Sequence, residues 1–279
     1  MPELPEVETI RRQLAERLPG RALARIRVAD PLLVVPEAPA AFAAALAGRR
    51  VDAVRRRGKY LLLGLDGGDT LALHLRMTGQ LWWSPGAPDP AVGHVRARFD
   101  LDDGSALVFA DTRRFGLAWV LRAGADGRRY WAARAGVEPL SAAFTARRLE
   151  ALLAGRRAAI KPVLLDQRLV AGIGNIYADE ALFQARVHPL RPAGNLGRGE
   201  VGRLHRAIRD RLRAGIASGG ASIDRYRDTL GRRGTMQDLL RVHRHGGEPC
   251  PRCGSGIVKT RVGGRGTYHC PGCQPAAGC

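Results

Sequence analysis

The chain has 279 residues and 45% hydrophobic content, enough for one large domain or two ordinary ones with buried cores, which excludes an intrinsically disordered protein. Lys and Arg number 45 against 26 Asp and Glu, giving a formal net charge of +19 that favours a polyanionic partner. A nucleic acid is the first candidate for this partner, and an acidic membrane surface is the alternative.

The first predicted element is a helix that follows Pro2 and Glu3. If Met1 is removed, Pro2 exposes a secondary amine with a pKa near about 7.7 to 8.0, which can attack a carbonyl-like carbon and form a permanently charged iminium. Glu3 beside it can move a proton. The alternative is that both residues only begin the helix, with Glu3 in solvent. Apolar residues recur along this helix at spacings of three and four: Val7, Ile10, Leu14 and Leu18.

Short strands are predicted from there to about residue 122, with no helix between them. Turn sequences rich in Asp and Gly separate several of these strands. The pattern predicts an α+β chain whose N-terminal part is an antiparallel β-sandwich or barrel with one helix. A stretch rich in Ala and Pro, 36–47, is low in complexity. The eight predicted strands are 24–28, 51–56, 60–65, 70–76, 80–83, 95–101, 106–110 and 116–121.

The periodicity becomes helical at residue 142, so a second domain is predicted to begin there. Gly and Pro residues make 123–141 a predicted linker, and 218–246, rich in Gly and Arg, is predicted to be a mobile loop. The predicted helices are 142–153, 161–169, 176–185 and 200–217. The predicted domains are 1–122 for the β-sandwich, 142–246 for the helical domain and 247–274 for a Cys-rich finger.

Four cysteines near the C-terminus have the spacing of a two-knuckle zinc site: Cys250, Cys253, Cys270 and Cys273. Each CxxC turn supplies two thiolates, and the spacer is predicted to fold back as a hairpin around Gly263 and Gly264. The prediction is one structural Zn²⁺. A pair of disulfides is the alternative, and it needs an oxidising compartment. Cys279 is left over and is interpreted as incidental.

The N-terminus is acidic and the longest nearly apolar stretch is 38–47. A bilayer span needs about 20 apolar residues, so no membrane or secretion segment is predicted and the protein is expected in the cytoplasm.

Five motifs occur in order along the chain: PELPEVET at 2–9, RRGKYL at 56–61, DTRRFG at 111–116, GIGNIYADEAL at 172–182, and the CxxC pairs ending at Gln274. In this order they resemble the bacterial formamidopyrimidine-DNA glycosylases over essentially the whole chain. The resemblance implies a β-sandwich, a helical domain with a helix-two-turn-helix and a lesion-capping loop, and a zinc-finger hairpin. It also implies excision of oxidised purines such as 8-oxoguanine and formamidopyrimidines from duplex DNA, followed by β,δ-elimination at the abasic site.

The resemblance assigns catalytic roles to four residues. Pro2 would attack C1′ and form the Schiff base, and Glu3 would serve the sugar as acid or base. Lys59 would assist base removal and β-elimination, although its run of basic residues otherwise reads as a solvated face. Arg265, at the expected tip of the hairpin, would grip a phosphate and assist δ-elimination.

Further residues match positions that contact DNA in the family. Asn175 begins a helix, so it reads physically as an N-cap and by resemblance as a phosphate anchor. His94 is either a DNA contact or an ordinary structural histidine, and Arg156 is a DNA contact by resemblance alone. By resemblance Arg113 is a DNA contact as well, and together with Met77 and Phe115 it would fill the gap left by the everted base; the alternative is that Met77 and Phe115 are ordinary core residues.

The chain departs from the family at three places. Arg76 stands where glycine is usual beside the intercalating methionine, and Thr112 replaces a common proline. The sequence 234–236, in the expected lesion-capping loop, is Gly-Thr-Met where Gly-Tyr-Phe is frequent.

Two other functions stay open at this point. An enzyme resembling endonuclease VIII would act on oxidised pyrimidines, although Leu4 matches the purine-specific branch. A noncatalytic DNA-binding zinc-finger protein is disfavoured by the intact Pro2, Glu3 and Lys59. The expected partner is damaged double-stranded DNA, bound by a monomer in the bacterial nucleoid.

Overall fold

The computed structural model describes residues 1–86, 92–124 and 127–276. Cys279 and part of the predicted linker 123–141 lie outside the described residues. The chain forms two compact units. The N-terminal unit comprises Met1–Tyr130 and Ser218–Gln237, and the C-terminal unit comprises Trp131–Ala217 and Asp238–Cys279.

The N-terminal unit is a pair of four-stranded antiparallel sheets. One sheet has the order β1 (Leu23–Val28), β6 (Val95–Leu101), β7 (Ala106–Asp111) and β5 (Gly79–Ser84). The other has the order β2 (Val51–Arg57), β3 (Tyr60–Leu65), β4 (Thr70–His74) and β8 (Leu117–Leu121).

Two helices complete the core of this unit. Helix α1, Leu4–Ala15, buries the apolar face that its periodicity predicts. Helix α2, Pro39–Leu46, forms within the stretch rich in Ala and Pro, and its Phe42 is fully buried. Within this stretch Pro39 begins an Ala-rich helix between β1 and β2, so the prediction that no helix lies between the strands is wrong.

Residues 218–237 also pack within the N-terminal unit, whereas the sequence places them with the helical domain. The Ala221 amide donates to Glu6 Oε1 at 2.7 Å, and Gln13 accepts from the Thr229 amide at 3.0 Å. The Trp83 amide donates to the Thr229 carbonyl at 2.7 Å. Gly220 has φ of +89°, and a Cβ there would lie 2.9 Å from Glu6 Cγ, so the close approach needs glycine. Two acceptors on α1, the buried Glu6 and the half-buried Gln13, thus fix this segment.

The C-terminal unit is helical and ends in a hairpin. Helix α3, Gly127–Ala132, forms inside the predicted linker and crosses the boundary in sequence between the two units. The other helices are α4 (Ala146–Leu153), α5 (Ile160–Leu165), α6 (Asn175–Ala185) and α7 (Arg198–Ala217), and the hairpin strands are β9 (Val258–Val262) and β10 (Arg265–His269).

Two local predictions need correction. The strand predicted at 70–76 ends at His74, because Arg76 adopts a left-handed φ of 52° that an extended strand does not accept. Gly174 and not Asn175 is the N-cap of α6, and the side-chain oxygen of Asn175 accepts no hydrogen bond. Among the described residues, no helix is both long enough and apolar enough to cross a bilayer.

Candidate active site and nucleic-acid interface

The N-terminal residues are held at the start of α1 and are buried. Glu3 is the N-cap of α1 and is 2% exposed, and Pro2 is buried beside it. The Glu3 amide donates to Glu6 Oε2 at 2.8 Å, while the other oxygen of Glu6 accepts from Ala221. The alternative of a solvated carboxylate at Glu3 is wrong.

Lys59 lies in the tight turn between β2 and β3, after Gly58 with φ of 55°. Lys59 is only 5% exposed, so the alternative that it belongs to a solvated basic face is wrong. Helix α1 packs on this hairpin, and Arg56 Nε pairs with Glu8 Oε2 at 3.1 Å. The two elements that carry Pro2, Glu3 and Lys59 are thus joined by an ion pair and by core packing.

His74 is a buried imidazole at the end of β4. Burial, with the positive charges of Arg76 and Lys59, lowers the pKa of His74 to about 3. Its Nδ1 accepts from the Arg76 amide at 3.0 Å, and its ring meets Tyr60 edge to face at 4.7 Å between centroids. The neutral ring therefore anchors the start of the segment that carries Met77.

We expect acid to destabilise the N-terminal unit through His74. Its pKa is lower in the folded protein than in the unfolded chain, so the unfolded chain takes up the proton first as the pH falls below 6.5. The loss grows until the folded pKa of about 3 and is on the order of 2 kcal/mol at about pH 5.

Urea unfolding at about pH 7.5 and pH 5, followed by tryptophan fluorescence, measures this effect. Three of the four tryptophans, Trp82, Trp83 and Trp119, lie in the N-terminal unit. His74→Asn keeps an acceptor for the Arg76 amide and should show a smaller pH difference than the unmodified protein. An equal difference in both would contradict this account.

Met77 and Phe115 are exposed, not core residues. Met77 is 37% exposed and Phe115 is 47% exposed. The Arg113 guanidinium lies 4.7 Å from the centroid of the Phe115 ring, a cation–π contact that holds both side chains together. His94 is exposed on the same unit, with φ of 58°. Exposed apolar side chains beside an arginine are suited to enter a base stack.

Arg265 and Asn175 are brought together by the hairpin of the C-terminal unit. Gly263 and Gly264, both with positive φ, form the two-residue turn between β9 and β10, as predicted. Arg265 is exposed directly after this turn. Asn175 Nδ2 donates to the carbonyl of Gly266 at 2.9 Å, so the first residue of α6 supports the residue that follows Arg265.

A buried lysine supports the same carbonyl. Lys161, fully buried on α5, donates to the Gly266 carbonyl at 2.9 Å and to Thr267 Oγ1 at 2.8 Å, and it pairs with Asp179 Oδ1 at 2.7 Å. Asp179 Oδ2 contacts His243 Nδ1 at 2.8 Å. Sequence reasoning missed Lys161; its place in the apolar run before the GIGN motif was the available signal.

Arg156 lies at the end of α4, away from these hydrogen bonds. It is exposed, and its Nε donates to the Leu152 carbonyl at 2.7 Å. The carbonyl of Arg156 accepts from the Gly194 amide at 2.8 Å. Arg156 is therefore available on the surface for an anion, without a link to the Gly266 carbonyl.

The four predicted zinc ligands converge. Their Sγ atoms all lie within 4.8 Å of one another, with Cys250 to Cys273 at 3.9 Å and Cys253 to Cys270 at 3.4 Å. A tetrahedral ion with Zn–S bonds of about 2.3 Å places its sulfurs about 3.8 Å apart. These thiols fit Zn²⁺ and are far beyond the disulfide length of about 2.05 Å. The cysteines hold one structural Zn²⁺.

Gln274 attaches the zinc site to the helical part of the unit. Its side chain is fully buried, donating to the Val187 carbonyl at 2.8 Å and accepting from the Cys270 amide at 3.1 Å. Arg252 donates to the Phe183 carbonyl at 3.1 Å and lies over the Phe183 ring. The base of the hairpin that carries Arg265 is thereby fixed.

We expect Cys250→Ser to lose zinc and to weaken DNA binding. Cys250 is 3% exposed, so its replacement removes a buried ligand on which the hairpin depends. Metal analysis of the purified protein and titration of a fluorescent duplex measure both effects. Cys279→Ser, outside the described residues, is the control and should retain the zinc. Unchanged affinity in Cys250→Ser would show that the zinc site does not position DNA contacts.

Three family models match the chain. Residues 1–118 match the formamidopyrimidine-DNA glycosylase N-terminal domain, and residues 135–227 match the H2TH domain of the same glycosylases. Residues 247–276 match a zinc finger found in FPG and IleRS. The α+β fold, with a β-sandwich, a helix-two-turn-helix domain and a C-terminal zinc finger, is confirmed.

Curated relatives and solved structures agree with these matches. The chain is 50% identical to the formamidopyrimidine-DNA glycosylase of Roseiflexus sp. over 98% of this chain and 100% of the relative, and 44% identical to that of Streptococcus pyogenes over 98% of each. A mutant Lactococcus lactis FPG bound to DNA containing Fapy-dG superposes with a TM-score of 0.92 at 35% identity, covering 99% of this chain and 100% of that one.

A second Lactococcus lactis FPG structure, with DNA containing an abasic site, has a TM-score of 0.90 at 35% identity and covers 98% of this chain and 100% of that one. Both the whole-chain identity and the three domain matches lead to one conclusion. The chain belongs to the formamidopyrimidine-DNA glycosylase family.

Proposed function

We propose that this chain excises oxidised purines from duplex DNA by means of the Pro2 amine, with Glu3, Lys59 and Arg265 as its catalytic partners. The enzyme is a base-excision-repair DNA glycosylase and also an abasic-site lyase, which its whole-chain match to formamidopyrimidine-DNA glycosylases supports. The observation that carries the residue assignment is burial: Glu3 is 2% exposed and Lys59 is 5% exposed. A solvated carboxylate at Glu3 and a solvated basic run at Lys59 would leave both side chains in water.

The proposed reaction begins with the Pro2 nitrogen, which is an amine once Met1 is removed. Its lone pair attacks C1′ of the everted nucleotide, the glycosidic bond breaks with its electron pair leaving on the base, and the base takes up the proton that the Pro2 nitrogen loses. Glu3 gives a proton to the sugar ring oxygen as the ring opens, which leaves the iminium between Pro2 and C1′. Loss of a C2′ proton then expels the 3′ phosphate, and a second elimination expels the 5′ phosphate.

The remaining residues serve DNA binding in this proposal. Met77, Arg113 and Phe115 fill the gap left by the everted nucleotide, while His94, Arg156 and Asn175 contact phosphates. The Asn175 amide also supports the hairpin through the Gly266 carbonyl, so its removal would affect Arg265 as well. The net charge of +19 supports several phosphate contacts and a steep loss of affinity with salt.

Borohydride trapping tests the nucleophile. The protein is incubated with duplexes that carry 8-oxoguanine opposite C or thymine glycol opposite A, reduced, digested and analysed by mass spectrometry. We expect an adduct with the purine lesion on a peptide that begins at Pro2. An adduct on Lys59 would overturn the assignment of Pro2, and trapping only with the pyrimidine lesion would favour the endonuclease VIII-like activity.

A duplex with an oxidised pyrimidine is tested because a similar protein has been solved with such a lesion. One Lactococcus lactis FPG, 35% identical with a TM-score of 0.90, was solved with DNA containing an oxidised pyrimidine. Absence of trapping with either lesion and with an abasic duplex would leave only the noncatalytic binding protein.

The oligomeric state and the location are part of the same proposal. We infer a monomer that works on nucleoid DNA, since one chain carries all of the proposed catalytic residues. Light scattering of the protein with an abasic-analogue duplex measures the stoichiometry. Two chains for each duplex with a single lesion would contradict the monomer.

A further inference from the structure

Asp111 lies at the centre of the loops that present the proposed DNA-inserting residues. It ends β7, pairs with Gly79 at the start of β5 and is 2% exposed. The segment before Gly79 carries Met77, and the segment after Asp111 carries Arg113 and Phe115. Asp111 is the first residue of DTRRFG, and the resemblance gives it no role.

The Asp111 carboxylate accepts four hydrogen bonds. Oδ1 accepts from the Thr78 hydroxyl and from the Arg113 amide at 3.1 Å. Oδ2 accepts from the Phe115 amide at 2.9 Å and the Gly116 amide at 2.8 Å. One oxygen therefore joins the Met77 loop to the Arg113 loop, and the other fixes the turn beyond Phe115.

The backbone of Asp111 reaches a third segment. Its amide donates to the His94 carbonyl at 3.0 Å, and its carbonyl accepts from Arg96 Nε at 2.7 Å. Asp111 thus contacts all three segments of the N-terminal unit that carry proposed DNA contacts.

These segments contain three left-handed residues that are not glycine. Arg76 has φ of 52°, His94 has φ of 58° and Arg114 has φ of 59°. Such conformations are unfavourable for residues with a side chain and persist where surrounding contacts determine them. The hydrogen bonds to Asp111 are contacts of this kind.

Asp30 holds the intervening arginine. The Arg114 guanidinium donates to Asp30 Oδ2 at 2.7 Å and Oδ1 at 2.8 Å. Arg114 is thereby occupied by a carboxylate, while Arg113 stacks on Phe115. Two consecutive residues of this loop therefore have different partners: Arg113 contacts Phe115, and Arg114 pairs with Asp30.

We propose that Asp111 is a positioning residue that holds the loops of Met77 and of Arg113 and Phe115 in the shape needed for insertion into DNA, and so controls nucleotide eversion. The inference rests on the proposed function, which assigns insertion to these three side chains. The inserted side chains offset the free energy of unstacking only if their loops are already ordered before insertion, because ordering the loops at that step would itself cost free energy.

Asp111→Asn gives a sharp test because it keeps the shape of the side chain. An asparagine has one acceptor oxygen, so its NH₂ group must face either the Thr78 and Arg113 donors or the two amides of Phe115 and Gly116. Backbone amides cannot become acceptors. One of the two loops is therefore released while the fold of the sheet is kept.

Three assays separate insertion from chemistry. Single-turnover excision from an 8-oxoguanine duplex requires eversion, whereas borohydride trapping on a single-stranded abasic oligonucleotide does not. A 2-aminopurine beside a tetrahydrofuran site in a duplex reports insertion by fluorescence. We expect Asp111→Asn to slow duplex excision by about tenfold or more, to reduce the fluorescence change, and to trap the single strand within about twofold of the unmodified protein.

A pair of variants at Thr78 covers the case in which Asp111→Asn does not fold. Thr78→Val removes the hydroxyl with little change in shape and should slow duplex excision, whereas Thr78→Ser retains the hydroxyl and should restore it. Normal excision by Asp111→Asn or Thr78→Val overturns the inference. Equal loss on duplex and single strand also overturns it, because that pattern indicates general damage.

The unmodified protein separates this inference from the proposed function. If it does not excise the lesion, the proposed function fails, while the 2-aminopurine signal still measures insertion and its dependence on Asp111. If it excises the lesion and the variants do so equally well, only the positioning role fails.

Discussion

Replacement of Lys161 by methionine should lower the free energy of unfolding of the C-terminal unit by about 3 to 5 kcal/mol. The methionine side chain has a similar length but leaves Asp179, which is 1% exposed, without its ammonium partner at 2.7 Å. It also removes the donors to the Gly266 carbonyl and Thr267. A buried charge without its partner costs far more than an exposed pair gains.

Denaturant unfolding of the zinc-loaded protein measures this loss. Lys259→Met is the matched control, since Lys259 is exposed on β9 of the same hairpin. The control should change stability by less than about 0.5 kcal/mol. A loss in Lys161→Met no larger than in the control would show that the network of Lys161 and Asp179 adds nothing to stability.

Glu3→Gln should slow base excision by about 10² to 10⁴-fold while leaving the fold intact. The amide has the shape of the carboxyl group but cannot give a proton to the sugar ring oxygen. The hydrogen bond from the Glu3 amide to Glu6 uses the backbone, so the start of α1 is retained.

Single-turnover kinetics and binding to a tetrahydrofuran duplex separate catalysis from affinity. Binding should stay within about threefold, since the substitution changes no proposed phosphate contact. Glu16→Gln, at an exposed site just after α1, should excise normally. Excision by Glu3→Gln at the rate of the Glu16 variant would remove Glu3 from the mechanism.

Local patterns were sufficient for the strands, for α1 and for the metal site, whereas α2 and α3 were not predicted. Alternation along the strands and the apolar spacing of α1 reflect burial on one face, which is a local property of sequence. The four cysteines and the two glycines of the hairpin turn impose their geometry over short distances. The helices at 161–169 and 142–153 were predicted too long, since α5 ends at Leu165 and α4 starts at Ala146.

The supports of the site were not predictable in the same way. The contacts of Lys161 with Gly266 and of Ala221 with Glu6 join residues 105 and 215 positions apart. No local periodicity encodes such pairs. Asp111 combines near and distant partners, since Thr78 lies 33 positions away, so the motif revealed the inserting residues without the carboxylate that orients them.

The return of residues 218–237 to the N-terminal unit affects how the protein can be divided. A fragment that stops at Tyr130 would keep both sheets but would expose Glu6 Oε1, Gln13 and the backbone edge at Trp83, which Ala221 and Thr229 now cover. A transplantable catalytic module must therefore contain two separate pieces of sequence, joined by a new connection or supplied as two chains. Recombination between two such proteins at the single boundary near residue 122 would exchange a unit that lacks residues 218–237.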